Sequence, residues 1–457
     1  MKKHSQTRSS FSGKIGFVLS AAGASVGLGN IWRFPYLAAK YGGGIFLLIY
    51  ILLALTFGYT MIVAETAIGR TTKKSPVGAF HTFGSSKWLS FGGWINAIIP
   101  LLIVPYYSVI GGWVIKYLLG YIQGNSQLLA KDGYFTDFIS NGLSTELCFL
   151  AFALLTIIII YAGVRNGIER VSKFMMPILV LLSVVITIYS VTRPGALAGV
   201  KYFLVPNVRN FSWMTVVAAM GQMFYSLSIA MGILITFGSY MKNDVAIENA
   251  TENVEIFDTA IAIMAGLMII PAVFAFSGGD PEALQAGPSL MFITIPKMFA
   301  SMGFSTGIGI LFFLLVLFAA VTSSIALTES AVSTFEDELG WTRKKATIVV
   351  GIIIILLGSL SSLGYGPLAG IKLIGMQFLD FFDFLTNSVM MPIAAIATCL
   401  LVSRVASIKA IEDEVLKGES RFRRKKIFCF MIQYLCPIFA AIILISSIAN
   451  AFGWISI

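Results

Sequence analysis

Apolar residues follow one another in long, nearly uninterrupted runs along most of this sequence. A run of about 20 apolar residues is long enough to cross the hydrocarbon core of a bilayer as a helix. The pattern therefore predicts an all-α polytopic membrane protein with eleven membrane-spanning helices. The predicted spans are 14–39, 44–69, 89–120, 146–163, 168–191, 212–240, 256–276, 305–337, 343–361, 376–402 and 427–450.

The composition agrees with this interpretation. Of the 457 residues, 57% are hydrophobic and only 12% are charged, and the mean hydropathy is +0.87. A soluble domain carries about 25% charged residues, roughly twice the fraction found here. Water is therefore not the main solvent for the surface of this protein.

The net charge of +10 would ordinarily suggest a nucleic-acid partner, but the positions of the basic residues argue against one. If the N-terminus is cytoplasmic, 23 of the 32 lysines and arginines fall in cytoplasmic segments, which is the positive-inside pattern. We therefore expect a bilayer and no nucleic acid as partner. The expected location is a bacterial-type inner (plasma) membrane, with the C-terminus extracellular and the protein a monomer or weak dimer.

An enzyme of the common classes has little raw material in this chain. The only histidines are His4 and His81, neither of them in a predicted span, and none of the four cysteines has CxxC spacing. The sequence contains neither the HExxH pattern of zinc proteases nor the GxxxxGK[ST] pattern of ATP-driven transporters. We therefore expect no enzymatic activity and no ATPase.

The first predicted span carries polar residues at its centre. Small residues within 21–35 suit close packing of helices, but packing does not explain Asn30 and Arg33. Polar and charged side chains at this depth usually face a cavity or a partner. Glu65 and Glu329 are further carboxylates in or near spans, and the sequence does not show what they contact.

The sixth predicted span is interrupted in a similar way, by an amide, hydroxyls and small residues within 221–232. The two interrupted spans each begin a block of five helices, and the second block has inverted topology relative to the first. Paired broken helices in inverted repeats indicate a transport site at the membrane midplane. The resulting segments are a gating segment 1–13, repeat one 14–191, an extracellular connection 192–211, repeat two 212–402, a basic cytoplasmic loop 403–426, and a last helix with the C-terminus at 427–457.

Several short motifs resemble those of the neurotransmitter:sodium symporter family, whose structural type is the bacterial leucine transporter. They are GLGNIWRFP at 27–35, YGGG at 41–44, YYS at 106–108, QMFYSLS at 222–228 and TSS at 322–324. The resemblance covers nearly the whole chain. It implies the leucine-transporter fold, with two inverted five-helix repeats plus one extra helix and with helices 1 and 6 broken. It also implies a sodium-coupled symporter that works by alternating access.

The resemblance implies two sodium sites. In the first, the Ser25 carbonyl and the side chains of Asn30 and Ser226 bind the ion, and the substrate carboxylate completes the shell. Counting on from Ser226 places Asp258 where the family usually has an asparagine ligand. The implied second site consists of the carbonyls of Gly23, Val26 and Ala319 and the hydroxyls of Thr322 and Ser323. From the residues alone, 322–324 equally fits ordinary polar contacts between helices.

Asp258 is a departure from the pattern of the family. Chloride-dependent relatives bind an anion near the positions of Tyr50, Gln222 and Ser226. A fixed carboxylate there would balance the sodium charge, so we expect no chloride requirement. Two alternatives remain open: Asp258 is an ordinary acidic residue at the cytoplasmic start of a helix, or it takes up a proton on the return step and gives proton antiport.

The resemblance also implies a place for the substrate. Monoamine carriers of the family have an aspartate where this chain has Gly27, so glycine leaves room for a cargo with its own carboxylate. The Gly29 amide, the Tyr107 hydroxyl and the sodium would hold that carboxylate. We expect a hydrophobic α-amino acid; another small amine or organic acid, and a sensor that binds without transporting, remain open. The implied wall consists of Ala24, Ser25, Gly27, Leu28, Gly29, Ile103, Tyr107, Tyr225, Ser226, Ser228, Met231, Ser323 and Leu327.

Two gates complete the implied mechanism. Above the substrate, Arg33 is expected to face Asp383, with Tyr107 and Tyr225 as an aromatic lid. On the cytoplasmic side, the N-terminal segment is expected to close the path through an ion pair and a packed aromatic ring. The implied inner gate consists of Arg8, Phe11 and Asp337.

Overall fold

The computed structural model describes residues 9–278, 287–451 and 453–454. In this part of the chain every regular element is a helix. The main helices are α1 Lys14–Ser25, α2 Gly29–Lys40, α3 Gly44–Thr72, α4 Lys87–Ile122, α5 Gly142–Tyr161, α6 Val164–Val191, α7 Trp213–Ser226, α8 Ile233–Ser239, α9 Ile247–Ser277, α10 Ser305–Leu339, α11 Arg343–Leu363, α12 Phe378–Ala406, α13 Ile408–Val415 and α14 Lys425–Ala451. Shorter helices are Pro76–Thr82, Ser126–Leu129, Tyr134–Ser140, Ala196–Leu204, Val208–Asn210 and Leu290–Ser301.

Nine helices in the described residues are long and apolar enough to cross a bilayer, and α1 with α2 makes a tenth span if the bent pair is counted as one. The all-α membrane architecture expected from the sequence is therefore confirmed. The predicted span 212–240 corresponds to α7 and α8, which are 14 and 7 residues long, so each is too short to cross alone. Eleven spans remain a prediction.

The chain bends by 53° between α1 and α2. The helix ends at Ser25, and Val26 takes an extended conformation with ψ of 95°. Residues 26–28 therefore form a short link between the two helices. Their backbone groups are freed from the regular hydrogen bonding of a continuous helix and are available to other partners.

A second break separates α7 from α8 over residues 227–232. Ser228, Ala230 and Gly232 all have positive φ, at 54°, 59° and 68°. A left-handed conformation costs a residue other than glycine about 1–2 kcal/mol, so the surroundings must hold it. Glu65 does so at one point, because its Oε1 accepts a hydrogen bond from the backbone N–H of Ala230 at 2.8 Å. The Ser228 hydroxyl donates to the Ala24 carbonyl at 3.0 Å, which joins the two breaks.

Helices α4 and α10 form the centre of the bundle. In their most apolar stretches 78% and 72% of the residues are buried, against 33% in α5, α6 and α14. The latter three helices therefore present most of their apolar surface outward, where lipid is the natural neighbour. The two breaks lie against this buried centre, so polar groups there are shielded from the surrounding lipid.

The dense basic run 421–426 leads into α14 and faces acidic residues of α9. Arg423 pairs with Glu252 at 2.8 Å, and Arg424 pairs with Glu255 at 3.3 Å. α9 begins at Ile247, earlier than the predicted start of that span, and these pairs stabilise its first turns. The first turns of α9 contain carboxylates that interrupt the apolar pattern of the sequence. In the structure, the arginines of the basic run pair with these carboxylates.

Connections 240–246 and 407–424 meet at one end of the molecule, here called the basic end. Arg70, buried at the end of α3, donates to Glu414 Oε1 at 2.6 Å and to a carbonyl of the first connection. Burial favours the neutral acid, but hydrogen bonds from Lys417 and Arg70 hold the pKa of Glu414 below its ordinary value. The charged pair therefore fastens α13 to the end of α3.

Candidate ion and substrate site

A central cavity lies where the two breaks meet. Its volume is about 30 Å³, room for about two water molecules, so a larger occupant requires the walls to move apart. It is lined by Ala24, Ser25, Gly27, Leu28, Gly29, Asn30, Ile103, Tyr107, Tyr225, Ser226, Ser228, Met231, Ser323 and Leu327. The structure thus brings every residue of the implied substrate wall into one cavity and adds Asn30, which the resemblance had assigned to sodium alone.

Two glycines allow the link between α1 and α2 to approach its neighbours closely. A Cβ atom on Gly27 would lie 2.7 Å from Ser323 Oγ and 3.1 Å from the Tyr107 hydroxyl. A Cβ atom on Gly29 would lie 2.5 Å from the ring of Tyr225. The Tyr107 hydroxyl accepts a hydrogen bond from the Leu28 amide at 3.3 Å, so this tyrosine contacts the broken segment directly.

The side chains of Asn30, Ser226 and Asp258 meet at one edge of the cavity. Asn30 Nδ2 donates to Asp258 Oδ1 at 2.7 Å and to Ser226 Oγ at 2.9 Å. Ser226 Oγ also lies 2.9 Å from Asp258 Oδ2. Since the Asn30 nitrogen faces the carboxylate, coordination of a cation by the Asn30 oxygen requires the amide to turn. Ser25 directs its hydroxyl back to the Ala21 carbonyl at 3.2 Å.

Asp258 is a fully buried carboxylate, with none of its surface exposed. It lies about three turns from the start of α9. A position this far inside the helix argues against the alternative that Asp258 is an ordinary helix-start residue. The Tyr50 hydroxyl donates to Asp258 Oδ2 at 3.0 Å, so every contact so far described is with a neutral group.

Gln222 contacts the backbone at the start of α2. Its Nε2 donates to the Gly29 carbonyl at 3.0 Å. Its Oε1 is buried and has no hydrogen-bond partner within the described residues. Gln222 therefore supports the start of α2, while Tyr50 and Ser226 contact the carboxylate.

On the other side of the cavity, hydroxyls of α10 meet carbonyls at the end of α1. Ser323 Oγ lies 3.2 Å from the Gly23 carbonyl oxygen and 3.3 Å from that of Val26. Thr322 Oγ1 donates within its own helix, to the carbonyls of Phe318 at 2.9 Å and Ala319 at 3.2 Å. The five residues implied for the second sodium site thus come together, and all their oxygens are formally neutral.

A second cavity of about 440 Å³ is lined by both charged residues of the implied outer gate, Arg33 and Asp383. The Arg33 guanidinium lies 5.4 Å from the centre of the Tyr225 ring, in a cation–π arrangement. Asp383 Oδ1 accepts a hydrogen bond from Asn387 at 2.6 Å. Among the described residues no ion pair joins Arg33 to Asp383 within 4.0 Å, so closing this gate requires them to approach.

The implied inner gate is described only in part, because Arg8 lies outside the described residues. Phe11 is buried and packs edge-on against Phe237, with ring centres 5.5 Å apart. Its amide donates to the Tyr240 carbonyl at 3.1 Å. The Asp337 carboxylate accepts a hydrogen bond from the Ser75 amide at 2.6 Å. Phe11 and Asp337 thus both lie at the basic end.

The structure also supplies the partners of two carboxylates left open by the sequence. Glu65 holds the second break through Ala230. Glu329 accepts hydrogen bonds from Arg343 Nη1 at 3.0 Å and from the Tyr240 hydroxyl at 2.7 Å. Sequence reasoning did not identify Arg343 as the partner of Glu329. A single acidic residue in a membrane span nevertheless indicates that a partner exists.

Comparison with known proteins gives concordant matches. A family model described as the sodium:neurotransmitter symporter family matches residues 8–129 and 136–453. The uncharacterized sodium-dependent transporter YhdH of Bacillus subtilis (strain 168) is 34% identical over 446 residues, covering 97% of each chain. The human sodium- and chloride-dependent GABA transporter 2 is 27% identical over 465 residues, covering 89% of this chain and 75% of that protein. The crystal structure of MhsT in complex with L-phenylalanine superposes with a TM-score of 0.86 and 35% identity, covering 96% of this chain and 100% of that chain.

Proposed function

The chain belongs to the sodium:neurotransmitter symporter family, and on that premise we propose that it imports a hydrophobic α-amino acid together with sodium. It is a sodium-dependent membrane transporter with the leucine-transporter fold, and not an enzyme. The cargo, the number of sodium ions and the absence of a chloride requirement are the proposed parts. The central cavity at the junction of the two breaks is the observation that carries them.

The lining of the cavity suits an amino acid with an apolar side chain, which the cavity would admit only when its walls move apart. The broken segments supply backbone groups for the carboxylate and amine, and the Gly29 amide and the Tyr107 hydroxyl, both at the cavity, would hold the carboxylate. Ile103, Met231 and Leu327 give the wall apolar surface for the side chain. Since MhsT was crystallised with L-phenylalanine, that amino acid is the first candidate cargo.

Two sodium sites flank the cavity in the proposal. Asn30, Ser226 and Asp258, with the Ser25 carbonyl and the substrate carboxylate, hold the first ion. The second ion binds between the end of α1 and α10. Its proposed ligands are the carbonyls of Gly23, Val26 and Ala319 and the hydroxyls of Thr322 and Ser323.

Chloride independence follows from the buried charge of Asp258. A carboxylate surrounded by neutral donors carries an uncompensated negative charge, which is costly unless a cation accompanies it. Sodium in the first site supplies that cation. An exchangeable anion at the same place would add a second negative charge, so the proposed symporter needs none.

Alternating access would use the two gates in turn. Sodium and amino acid enter from outside, and Arg33 approaches Asp383 above Tyr225. The contacts of Phe11 and Asp337 at the basic end, with Arg8, then open toward the cytoplasm. The sodium gradient and the membrane potential drive the cycle, since each charge moved is worth about 2.3 kcal/mol per 100 mV. This direction places the basic end in the cytoplasm of a bacterial plasma membrane, the C-terminus outside, and the protein as a monomer or weak dimer.

Uptake by the purified protein in liposomes tests the proposal. The twenty standard amino acids, each radiolabelled, are presented under an inward sodium gradient, with equal sodium on both sides as the control. Accumulation of one or a few hydrophobic amino acids above equilibrium, only under the gradient, supports the proposal. Sodium-dependent binding without accumulation favours a sensor, and no response to any amino acid indicates a different amine or organic acid as cargo.

A further inference from the structure

Glu169 lies in the second turn of α6. Its carboxylate binds the segment that precedes α1. Its Oε2 accepts a hydrogen bond from the backbone N–H of Ser12 at 2.8 Å, and its Oε1 contacts the Ser12 hydroxyl. Lys173, one turn along the same helix, donates to Glu169 and lies 3.0 Å from the Ser12 hydroxyl. Glu169 is 2% exposed, so this charged group is shielded by its partners.

Neighbouring contacts make Ser12 a junction of three elements. Lys242, just after α8, donates to the Ser12 carbonyl at 3.0 Å. Gly16, in the first turn of α1, lies so close that a Cβ atom there would be 2.4 Å from Glu169 Oε1. The carboxylate therefore fixes the start of α1 against both α6 and the end of α8.

A continuous strip of α1 connects this contact to the proposed second sodium site. Positions 16, 20 and 23 recur at helical spacing and share one face. Gly23 lies between α6 and α10, because a Cβ atom there would be 3.3 Å from Met176 Sδ and 3.1 Å from Thr322 Cβ. The distance along the helix from Gly16 to Gly23 is about 10 Å.

Ser20 stands midway along that strip and is 2% exposed. Its hydroxyl has no hydrogen-bond partner within the described residues. A buried polar atom without a partner is uncommon and calls for an explanation. The Ser20 hydroxyl places an oxygen atom between the proposed second sodium site and the Glu169 carboxylate.

We propose that Glu169 is a positioning residue that keeps the cytoplasmic end of the α1–α6 interface closed, and that it must release Ser12 before the ion in the second site reaches the cytoplasm. The inference rests on the second sodium site of the proposed function. While Glu169 binds Ser12, the start of α1 stays packed on α6. The strip of α1 at positions 16, 20 and 23 is then closed to water from the cytoplasm. When this contact breaks, the oxygens of Ser20 and Glu169 line a path for the ion from the second site to the cytoplasm.

We call the contact between Glu169 and Ser12 the latch. Labelling of a cysteine introduced at position 20 tests whether the latch controls access from the cytoplasm. Ser20→Cys replaces an unpartnered hydroxyl with a thiol of similar shape, and the parent protein without it gives the background from the four native cysteines. A membrane-impermeant thiol reagent is applied to inside-out vesicles containing the full chain, with and without sodium. The reporter is combined with Glu169→Ala, with Glu169→Gln, or with the control Glu252→Gln, which alters another ion-paired carboxylate at the basic end.

Glu169→Ala is expected to raise the labelling rate about tenfold, the factor for losing one hydrogen bond to a charged group. Glu169→Gln keeps an acceptor for Ser12 but loses the charge facing Lys173, so its rate lies between those of the parent and the alanine variant. Glu252→Gln labels at the parent rate. Sodium-dependent amino-acid binding, measured in parallel, is expected to be retained in Glu169→Gln, whereas a role only in folding would lower it in both Glu169 variants.

The outcomes separate the latch from the proposed function. If sodium slows labelling of the parent reporter but both Glu169 variants label at the parent rate, the latch is wrong and the sodium site stands. If sodium has no effect on the parent reporter, the second sodium site is wrong. An increase in the Glu252→Gln control equal to that in Glu169→Ala also overturns the latch, because the effect is then general to the basic end.

Discussion

The two proposed ion sites lie on opposite sides of one cavity but are built from different chemistry. The first contains a buried carboxylate, Asp258, with neutral donors from Tyr50, Asn30 and Ser226 around it. The second gathers hydroxyls of α10 and carbonyls of α1, without a formal charge. Sodium in the first site therefore neutralises a charge, whereas sodium in the second is held by dipoles alone. Anion dependence and sensitivity to charge-removing substitutions should accordingly be confined to the first site.

Removing the charge of Asp258 should have the largest effect, because it abolishes the difference in charge between the two proposed sodium sites. Asp258→Asn keeps the shape of the side chain but makes the first site neutral. Losing a charge-assisted contact to the ion predicts at least about a tenfold rise in the sodium concentration for half-maximal uptake. We further expect uptake by this variant to become stimulated by chloride, since an anion can restore the missing charge.

Asp132→Asn is the matched control for that experiment. Asp132 is a solvent-exposed carboxylate whose ion pair with Lys297 lies far from the cavity residues in sequence and is open to water. Its loss should leave sodium dependence unchanged. An Asp258→Asn variant with parental sodium dependence and no chloride effect would show that the carboxylate does not serve the first site.

Gly27→Ala tests the junction between the two sites. The added methyl would lie 2.7 Å from Ser323 Oγ and 3.1 Å from the Tyr107 hydroxyl, so both must move. Overpacking of this kind costs about 1–3 kcal/mol, which predicts roughly a tenfold rise in the amino-acid concentration for half-maximal uptake. In the control Gly370→Ala, a Cβ atom has no heavy atom within 4 Å, so uptake should not change. Equal effects of the two changes would contradict the tight fit.

Thr322→Val tests the neutral second site. The valine has a similar shape but lacks the proposed ligand oxygen, so loss of one neutral contact predicts about a fivefold weaker sodium dependence. No chloride effect is expected, in contrast to Asp258→Asn. Thr328→Val is the control on the same helix: Thr328 also donates to a carbonyl one turn earlier, at 2.8 Å, but faces no proposed site. If both threonines behave alike, Thr322 serves helix packing only.

A smaller effect concerns acid sensitivity outside the membrane-spanning helices. Hydrogen bonds from Lys417 and Arg70 oppose the effect of burial and leave the pKa of Glu414 lowered. Its charge thus stabilises the fold at neutral pH, and this contribution is lost as the pH falls below about 4, near and under the ordinary glutamate value. Thermal unfolding in detergent should show a smaller loss of Tm between about pH 5 and about pH 3 in Glu414→Gln than in the parent. An equal loss would remove Glu414 from the acid response and leave other carboxylates to explain it.

Sequence reasoning predicted the helical membrane fold from local hydrophobic patterns, whereas the residues that line the cavity were implied by the resemblance to a known family. Long apolar runs define spans, and the motif at 27–35 marks the first break. What it could not predict depends on tertiary pairing. The contacts of Glu169 with Ser12 and of Glu329 with Arg343 join residues 157 and 14 positions apart, and no local pattern announces either.

The break in the sixth span shows the same limit on a smaller scale. Polar residues at 221–232 indicated an interruption, but not that Ala230 would adopt a left-handed conformation held by Glu65. That conformation depends on a carboxylate 165 residues earlier in the chain. A single sequence contains both residues without showing that they meet.

Equilibrium binding of radiolabelled sodium to the purified protein, in chloride-free buffer with saturating L-phenylalanine, tests the central claim most directly. The account predicts two sodium ions per protein, and one in Asp258→Asn until chloride is added. A stoichiometry of two that requires chloride in the parent protein would contradict the role given to Asp258. A stoichiometry of one in the parent, with or without chloride, would contradict the pair of sites itself.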